Sequence, residues 1–502
     1  MPPRQPYLTK SRFLAGQQCA LRLWSQVNDP LPHEESEEGS VQALGIAIGQ
    51  EAHRLFPGGV LVDHPPYAHE PAVRRTRELM ADRRVPAIFE AAFEAAGVRV
   101  RVDILERGTR GRWRLTEVKS SGSVKDVHLD DLAVQGLVVE EAGVRLESAG
   151  ILHVNKAYVR GKGAVDWKRF FTRADLTADF RSRIEDLPGA IAAMARIARL
   201  RQAPAIDPGR HCDSPYECEF QIRCHKGLPK DWIGHLYRIN DCKFEALKAA
   251  GIAAIRDIPE DFDLNHQQQI IRQVLKNRTE HVSPDLTKLL AKFGPPAAYL
   301  DFESMAPIVP LYPKTRPFES LPFQWSLHVW DGKKKPTHDA FLADGMTDPR
   351  RAFIESLLAA VKRLDLPILV FSSFEMTTLK QMAALFPDLA KPIERLMARL
   401  CDLLPVVQGG IYHADFQNSF SIKTVAPALA PHLTYDDLET VADGLAAAQA
   451  FESLAAGRVQ DKADIANLRQ ALLDYCQRDT LALVEVHKAL LARAPKQRGR
   501  GR

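Results

Sequence analysis

The amino-acid sequence predicts a mixed α/β (α+β) fold with more than one domain. At 502 residues, the chain is long enough for roughly two to four domains. Residues 98–105 alternate apolar and polar side chains, which is typical of a half-buried strand, and another apolar strand is predicted from residue 297. Residues 465–491 instead carry apolar side chains at helical spacing. Strands and helices mixed along one chain favour this fold class.

The composition is that of an ordinary globular protein. The chain has 67 Lys and Arg against 63 Asp and Glu, a formal net charge of +4, with 45% hydrophobic residues. These values exclude a wholly disordered chain, a collagen and a small disulfide scaffold. We expect no membrane-spanning helix, because no apolar run reaches ~18 residues. The start of the sequence lacks the apolar core of an export signal, so we expect a cytoplasmic protein.

Turn-forming residues predict where the domains meet. Gly227-Leu228-Pro229 follows a cysteine-rich stretch, and Gly294-Pro295-Pro296 precedes an apolar strand. Two short helical patterns lie between these breaks, and the first weakly resembles a helix-hairpin-helix, which binds phosphate through backbone amides. The predicted parts are a domain at 1–230, a helical module at 231–294, a second large domain at 295–495 and a basic tail at 496–502.

A predicted hairpin carries the first candidate site. Residues 98–105 and 113–118 form its strands, with a turn between them. Glu117 and Lys119 project to one face of their strand, and Asp103 lies on the polar face of the partner strand. Two carboxylates and an ammonium suit Mg²⁺ and an attacking water that the lysine orients or deprotonates. An exposed Glu–Lys pair without function is the alternative interpretation.

The cysteines suggest a ligand-binding site. Cys212, Cys218 and Cys224 lie within thirteen residues, and Cys19 is the candidate for a fourth thiolate. Thiolates favour zinc or iron–sulfur clusters. Short zinc motifs usually supply cysteines in close pairs, so we favour iron–sulfur over zinc, with non-ligating cysteines as a further alternative. The remaining cysteines are interpreted as small hydrophobic residues: Cys242, Cys401 and Cys476.

The order of these features resembles the PD-(D/E)XK nuclease domains of the RecB/AddB and CRISPR-adaptation type. The resemblance implies that Asp103 and Glu117 bind a metal with His53 as a further ligand, that Lys119 is the catalytic lysine and that Gln135 orients the site. Val102 stands where the family motif has proline, and the cysteine triplet is more widely spaced than in the family. The resemblance also implies a 4Fe-4S cluster bound by Cys19, Cys212, Cys218 and Cys224.

A second candidate site is predicted from carboxylates in the C-terminal half. Asp301 and Glu303 lie two residues apart on a strand, Glu375 follows another apolar strand, and Tyr475 and Asp479 lie one helical turn apart. Four converging acids would repel one another unless cations neutralised them, and two divalent ions about 4 Å apart are the usual solution. The Tyr475 hydroxyl could hold the attacking water. Alternatively, the first pair lies at a loop edge and the tyrosine belongs to the core.

Residues 297–492 resemble the DEDDy exonucleases of the ribonuclease H-like, DnaQ-type superfamily. The resemblance implies that Asp301, Glu303, Glu375 and Asp479 bind metal and that Tyr475 is catalytic. The sequence has Glu375 where the family has aspartate, and Asp402 is a possible supporting residue. Together the two halves resemble a bacterial family that fuses both nuclease types.

These resemblances imply a nuclease or exonuclease that requires Mg²⁺ or Mn²⁺ and removes nucleotides from a 3′ end. DNA is favoured over RNA because the N-terminal relatives process DNA. No phosphate-binding Gly-x4-Gly-Lys-Ser/Thr stretch occurs, so an unwinding helicase would be a separate partner. The alternative is a nucleic-acid-binding or scaffold protein in which one or both sites are silent.

Two basic segments have simpler interpretations. Lys333-Lys334-Lys335 follows Asp331-Gly332 and is interpreted as a solvated turn, with a phosphate contact as the alternative. The stretch from Arg160 to Arg173 mixes basic and aromatic side chains. It suits either single-stranded nucleic acid or a core beneath a charged surface.

Overall fold

The computed structural model describes residues 7–32, 41–435, 437–438 and 440–495. It divides the chain into two compact units. Unit 1 is Met1–Lys226 with Ile308–Pro317, and unit 2 is Gly227–Pro307 with Phe318–Arg502. The predicted tail at 496–502 lies outside the described residues. Among the helices that are described, each is too short or too polar to cross a bilayer.

Unit 1 is built on a mixed β-sheet. Its strands are β1 (Leu8–Thr9), β2 (Val60–Leu61), β3 (Ala87–Ala95), β4 (Val98–Arg107), β5 (Trp113–Lys119), β6 (Leu146–Val154) and β7 (Phe171–Asp175). Their order in the sheet is β2-β3-β4-β5-β6-β7, with β1 beside β4. The predicted hairpin is present as the antiparallel pair β4–β5. Its apolar face is buried because Val98, Val100, Val102 and Ile104 alternate with polar residues.

The helices of unit 1 surround this sheet. They are α1 (Lys10–Gln18), α2 (Ala20–Asn28), α3 (Val41–Ala52), α4 (His69–Ala81), α5 (Asp126–Glu141), α6 (Trp167–Phe170), α7 (Thr177–Ile184), α8 (Leu187–Ala198) and α9 (Gln221–His225). Helix α5 packs its buried Leu132, Val134 and Val138 into the same core as the sheet. This packing fixes the position of α5, the helix that follows β5 in the sequence, against the sheet. Phe170 and Phe171 of the stretch from Arg160 to Arg173 are buried and belong to the core, whereas Trp167 is half-buried.

Unit 2 contains a second mixed sheet. Its strands are β8 (His281–Val282), β9 (Ala297–Met305), β10 (Leu321–Trp330), β11 (Thr337–Leu342), β12 (Ile368–Val370), β13 (Leu400–Asp402) and β14 (Ile411–Tyr412). Five of them form the order β11-β10-β9-β12-β13, while β14 pairs with β8. Strand β10 is antiparallel to β9 and β11. Strand β12 is parallel to β9 and β13.

The helices of unit 2 include the region predicted as a separate module. They are α10 (Asp241–Ala249), α11 (His266–Asn277), α12 (Leu286–Leu289), α13 (Arg350–Val361), α14 (Phe374–Leu385), α15 (Ala390–Met397), α16 (Leu404–Gly410), α17 (Ile422–Leu429), α18 (Gly444–Ala455) and α19 (Lys462–Arg493). The long periodic helix predicted at 465–491 is α19. Phe244 and Ile271, from the predicted module, share a hydrophobic core with Tyr299 of β9 and Leu483 of α19.

The buried histidine His487 on α19 makes the stability of unit 2 depend on pH. Its Nδ1 atom lies 2.8 Å from the Tyr299 hydroxyl, and its buried Nε2 has no hydrogen-bond partner. Burial lowers the pKa of His487 to about 4. Because the unfolded chain binds this proton near pH 6.5 and the folded chain does not, the contribution of His487 to stability falls between pH 6.5 and 4.

Replacing His487 should therefore weaken the pH dependence of unfolding. As the pH falls from 7 to 4, the wild-type protein should lose stability that His487→Gln keeps. We therefore expect the difference in free energy of unfolding, variant minus wild type, to increase by up to about 3 kcal/mol over this range. Thermal and urea denaturation of both proteins across this range measures the difference. A difference that stays constant with pH would contradict the buried neutral imidazole.

Candidate active sites

The first acidic site lies where β4 and β5 run side by side. Ile104 pairs with Thr116, so the next residues on the two strands, Asp103 and Glu117, are neighbours. The Asp103 Oδ2 atom accepts a hydrogen bond of 2.7 Å from the backbone N–H of Val118. The sheet register thus brings together two carboxylates that are fourteen positions apart in the sequence.

Helix α5 completes this site with two polar side chains, Asp131 and Gln135. The Lys119 Nζ donates to Glu117 Oε1 at 2.7 Å and to Asp131 Oδ2 at 2.5 Å. The Gln135 amide donates to Glu117 Oε2 at 2.8 Å and to Asp131 Oδ1 at 2.9 Å. Gln135 therefore contacts the Glu117 carboxylate directly. Its own carbonyl oxygen is buried without a hydrogen-bond partner.

Three residues of this site were missed by the sequence analysis. Lys10, at the start of α1, donates to Glu117 Oε1 at 2.8 Å and lies 3.3 Å from Asp131 Oδ1. Glu90 on β3 has a left-handed backbone (φ 55°), and burial raises its pKa. Asp131 could have been found, since it lies one helical turn before Gln135. No local sequence pattern links Lys10 or Glu90 to Glu117, because only the folding of the chain brings these residues near it.

The charges of this site oppose one another at short range. Burial would raise the pKa of Glu117, but the ammonium groups of Lys10 and Lys119 outweigh it and hold the pKa below its usual range. Burial and the Glu117 charge raise the pKa of Asp103 well above its usual value. The two lysines therefore stabilise the ionised form of Glu117, whereas the ionised form of Asp103 would be stabilised if a further cation bound beside it.

His53, the further ligand that the resemblance implies, packs beside Phe89 of β3. It lies in a short 3-10 turn after α3, and its ring stacks on Phe89 with centroids 3.9 Å apart and planes 6° apart. Burial lowers the pKa of His53. Across the described ranges, His53, Asp103 and Glu117 do not form a trio of possible ligand atoms within 4.8 Å of one another.

The four predicted cysteine ligands line one cavity of unit 1. Cys19 lies between α1 and α2, and Cys212, Cys218 and Cys224 lie near the end of the long segment Met1–Lys226 of the unit. The backbone N–H of Cys218 donates to the Cys212 carbonyl at 2.8 Å. Burial raises the pKa of the Cys212 and Cys224 thiols, and neighbouring cysteines add to the effect. The fold thus gathers cysteines from the two ends of the unit.

The spacing of these sulfurs differs from that of a zinc site. At a Zn–S distance of about 2.3 Å, tetrahedral zinc would hold sulfurs about 3.8 Å apart. Within the described part of the chain, no three cysteine sulfurs lie within 4.8 Å of one another. The donor set is purely thiol, which suits soft metals such as zinc and iron–sulfur clusters.

The second acidic site is centred on β9 in unit 2. Asp301 and Glu303 project from one face of this strand, and one ligand atom from each lies within 4.8 Å of the Cys476 sulfur and of the other. The Cys476 thiol donates to Asp301 Oδ2 at 3.7 Å. Cys476 is fully buried, as expected, but its position beside a candidate ligand was missed although it directly follows Tyr475.

Helices α19 and α14 bring the remaining acids to this site. Asp479 accepts hydrogen bonds from Tyr435, at 2.8 Å, and from Tyr475. Glu375 lies in the first turn of α14, where the Ser372 hydroxyl donates to its carboxylate at 3.4 Å. The charges of Asp479, Glu303 and Glu375 all raise the pKa of Asp301, so these three acids lie in its neighbourhood.

Burial and mutual repulsion disfavour ionisation in this cluster. Burial, followed by the neighbouring acids, raises the pKa of Asp301 well above its usual value. Burial raises the pKa of Glu375 to about 7, and the charge of Asp402 adds to the effect. The Lys423 ammonium opposes the rise in Glu303 and Asp479. A site of this kind gains free energy when divalent cations neutralise its carboxylates.

Tyr435 and Lys423 were not identified from the sequence. The Lys423 Nζ lies 4.7 Å from the centre of the Tyr475 ring and donates to the Ala442 carbonyl at 2.9 Å. Both residues lie outside the predicted motifs. Lys423 reaches the site through the packing of its helix, α17, against α19, which no local pattern indicates. Tyr435 lies beyond the end of α17 and contacts Asp479 of α19.

The comparisons with known proteins cover part of unit 2. A family model described as a domain of unknown function (DUF2779) matches residues 298–421. The match contains Asp301, Glu303 and Glu375 and ends before Tyr475 and Asp479. No curated protein matches the chain. Over residues 298–421, the chain is thus similar to a family that is described without an activity.

Proposed function

We propose that the protein is a metal-dependent nuclease that cuts phosphodiester bonds of nucleic acid at two separate sites. The observation that carries this proposal is the convergence of Asp301, Glu303, Glu375 and Asp479 in one buried site beside the Tyr475 hydroxyl. Neighbouring acids of which three are buried and one, Asp301, is half-buried are costly without cations. Hydrolysis of a phosphate diester is a common use for the cations that would neutralise them.

The two folds support the assignment of nuclease types. In unit 2, a sheet with antiparallel β9, β10 and β11 and parallel β12 and β13 carries acids on β9 and on helices packed around it. This arrangement supports a ribonuclease H-like DEDDy exonuclease. In unit 1, the β4–β5 hairpin and α5 bring Asp103, Glu117 and Lys119 together, which supports a PD-(D/E)XK nuclease domain.

The side chains have distinct roles in the proposed reactions. Bound Mg²⁺ or Mn²⁺ would activate a water and stabilise charge on the phosphate. In unit 2 the four acids would hold the cations, and the Tyr475 hydroxyl would orient the attacking water. In unit 1, Asp103 and Glu117 would be the ligands, Lys119 would orient or deprotonate the water, and Gln135 would fix Glu117. DNA is the favoured substrate, from the resemblance of unit 1 to DNA-processing nucleases.

We further propose that Cys19, Cys212, Cys218 and Cys224 bind a 4Fe-4S cluster. The shared cavity supports one common ligand for the four thiols. The wide spacing of the cysteines along the chain, without close pairs, favours a cluster over zinc. Because the cysteines come from both ends of the segment Met1–Lys226, the cluster would link these ends and stabilise unit 1.

Removing one cysteine should therefore remove the cluster. Anaerobically purified wild-type protein is expected to be brown and to contain about four irons per chain, whereas Cys218→Ser should lose most of this iron and unfold at a lower temperature. Cys242→Ser, at an exposed cysteine of unit 2, is the matched control and should keep the iron. Colourless wild-type protein with stoichiometric zinc would contradict the cluster.

The second candidate function is a binding or scaffold protein with a silent site in unit 2. Glu375 favours it, because a longer carboxylate stands where the resembling family has aspartate. Incubation of the anaerobically purified protein and Mg²⁺ or Mn²⁺ with end-labelled single-stranded DNA, duplex DNA and RNA distinguishes the two. Products that require Asp301 or Lys119 support the nuclease, and no product from any substrate would contradict it.

A further inference from the structure

A basic cavity of about 690 Å³ lies in unit 2, outside both acidic sites. Its lining includes Lys333, Lys334 and Lys335 from the β10–β11 turn, and Lys488 and Glu485 from α19. These lining residues therefore contain four ammonium groups against one carboxylate. The lysine run interpreted from the sequence as a solvated turn forms one wall of this cavity.

The turn presents its lysines because Asp331 fixes their backbone. The Asp331 carboxylate accepts hydrogen bonds of 2.8 Å from the backbone N–H groups of Lys333 and Lys334. The side chains of all three turn lysines are exposed. Among the described residues, no ion pair engages their ammonium groups, whereas Lys488 is paired with Glu485 at 2.8 Å.

The histidines of the cavity add hydrogen-bonding groups rather than charge. The His328 Nδ1 lies 2.8 Å from the Thr480 hydroxyl, and the His338 Nε2 lies 2.9 Å from the Ser326 hydroxyl. Burial lowers the pKa of His328 to about 4 and also lowers that of His338. At neutral pH the positive charge of the cavity therefore comes from its lysines.

The cavity and the acidic site use opposite faces of α19. Gln477 and Leu481 line the cavity, whereas Tyr475 and Asp479 face the acids. Residues two positions apart on a helix point about 200° apart, and a helix with its side chains is about 10–12 Å wide. The width of α19 therefore lies between a ligand in the cavity and a phosphodiester bond bound at the acidic site.

We propose that the basic cavity binds the phosphate backbone of single-stranded nucleic acid. Lysine ammonium groups attract phosphates without reading the bases, so the contact would be independent of sequence. The cavity has the volume of a small-ligand site, which can admit a flexible strand but not a stiff duplex. The choice of nucleic acid over free phosphate rests on the proposed function of unit 2.

Binding can be measured apart from cleavage. The probe is a fluorescein-labelled single-stranded oligonucleotide of about 20 nucleotides, and all proteins carry Asp301→Asn and are kept in EDTA. The test variant combines Lys333→Ala, Lys334→Ala and Lys335→Ala. The control variant removes three exposed lysines of α14, α15 and the end of α13: Lys362→Ala, Lys380→Ala and Lys391→Ala. Both triple variants lower the net charge equally, and circular dichroism confirms their folding.

Loss of the turn lysines should weaken binding at least tenfold at about 0.1 M salt. The slope of log K against log salt should fall in magnitude by about 2, since each contact to a single strand contributes ~0.7. The control should bind like its parent. Equal binding of the oligonucleotide by both triple variants would overturn the proposal. It would also be overturned if millimolar inorganic phosphate displaced the oligonucleotide and a mononucleotide bound as tightly as the oligonucleotide does.

Cleavage assays of the same variants without Asp301→Asn separate this inference from the proposed function. Lysine-dependent binding without cleavage by any variant would support the basic cavity and contradict the nuclease. Cleavage that requires Asp301 but is accompanied by lysine-independent binding would support the nuclease and overturn the basic cavity.

Discussion

Asp301→Asn should abolish cleavage by unit 2 and at the same time stabilise the metal-free protein. Asp301 lies at the centre of the acidic site, where burial and three neighbouring acids raise its pKa. Asparagine has nearly the same shape but cannot neutralise a cation. The loss of several kcal/mol of transition-state stabilisation corresponds to at least about a hundredfold in rate. In the absence of metal, the loss of repulsion should raise the free energy of unfolding by about 1–4 kcal/mol.

Opposite effects on activity and stability separate a functional site from a structural one. Exonuclease rates with Mn²⁺ and urea denaturation in EDTA measure the two quantities on the same preparations. Asp339→Asn, at an exposed aspartate of β11, is the control and should change neither. A destabilised Asp301→Asn variant that keeps its activity would show that the acids serve only the fold.

Lys119→Ala should remove cleavage by unit 1 and leave cleavage by unit 2 unchanged. Positioned acid–base groups typically contribute about 10²–10⁴-fold to a rate. Lys119 is the donor to both Glu117 and Asp131, so its loss should also lower the free energy of unfolding by about 1–3 kcal/mol. The loss should be moderate because Lys10 and Gln135 still contact Glu117.

The comparison between the two variants tests whether the sites work independently. Product patterns from Lys119→Ala and Asp301→Asn should differ, and the double variant should form no product. Lys168→Ala, at an exposed lysine of unit 1, should behave like wild type. Full activity of Lys119→Ala on every substrate would contradict the proposal that unit 1 cleaves nucleic acid.

Local sequence patterns indicated the parts of each site that lie on one element. The alternation of β4 identified Asp103 on its polar face, and the i, i+2 spacing identified the pairs Glu117–Lys119 and Asp301–Glu303. Helical spacing paired Tyr475 with Asp479. These patterns succeed because the period of a strand or helix alone decides which side chains share a face.

Residues that reach a site through tertiary packing carried no such signal. Lys10 contacts Glu117 from 107 positions away, and Tyr435 contacts Asp479 from 44 positions away. The predicted helical module illustrates the same limit for the fold. Its helices have local signals, but Phe244 and Ile271 pack with β9 and α19, which only the assembled core reveals.

Titration of Mn²⁺ into the metal-free protein is the most direct test of the central claim that the two acidic sites hold divalent cations. Calorimetry or electron paramagnetic resonance should show saturable binding by wild-type protein. Asp301→Asn and Asp103→Asn should each remove a different part of it, and the double variant should remove nearly all. Mn²⁺ binding that neither substitution changes, or no saturable binding by wild type, would contradict the account.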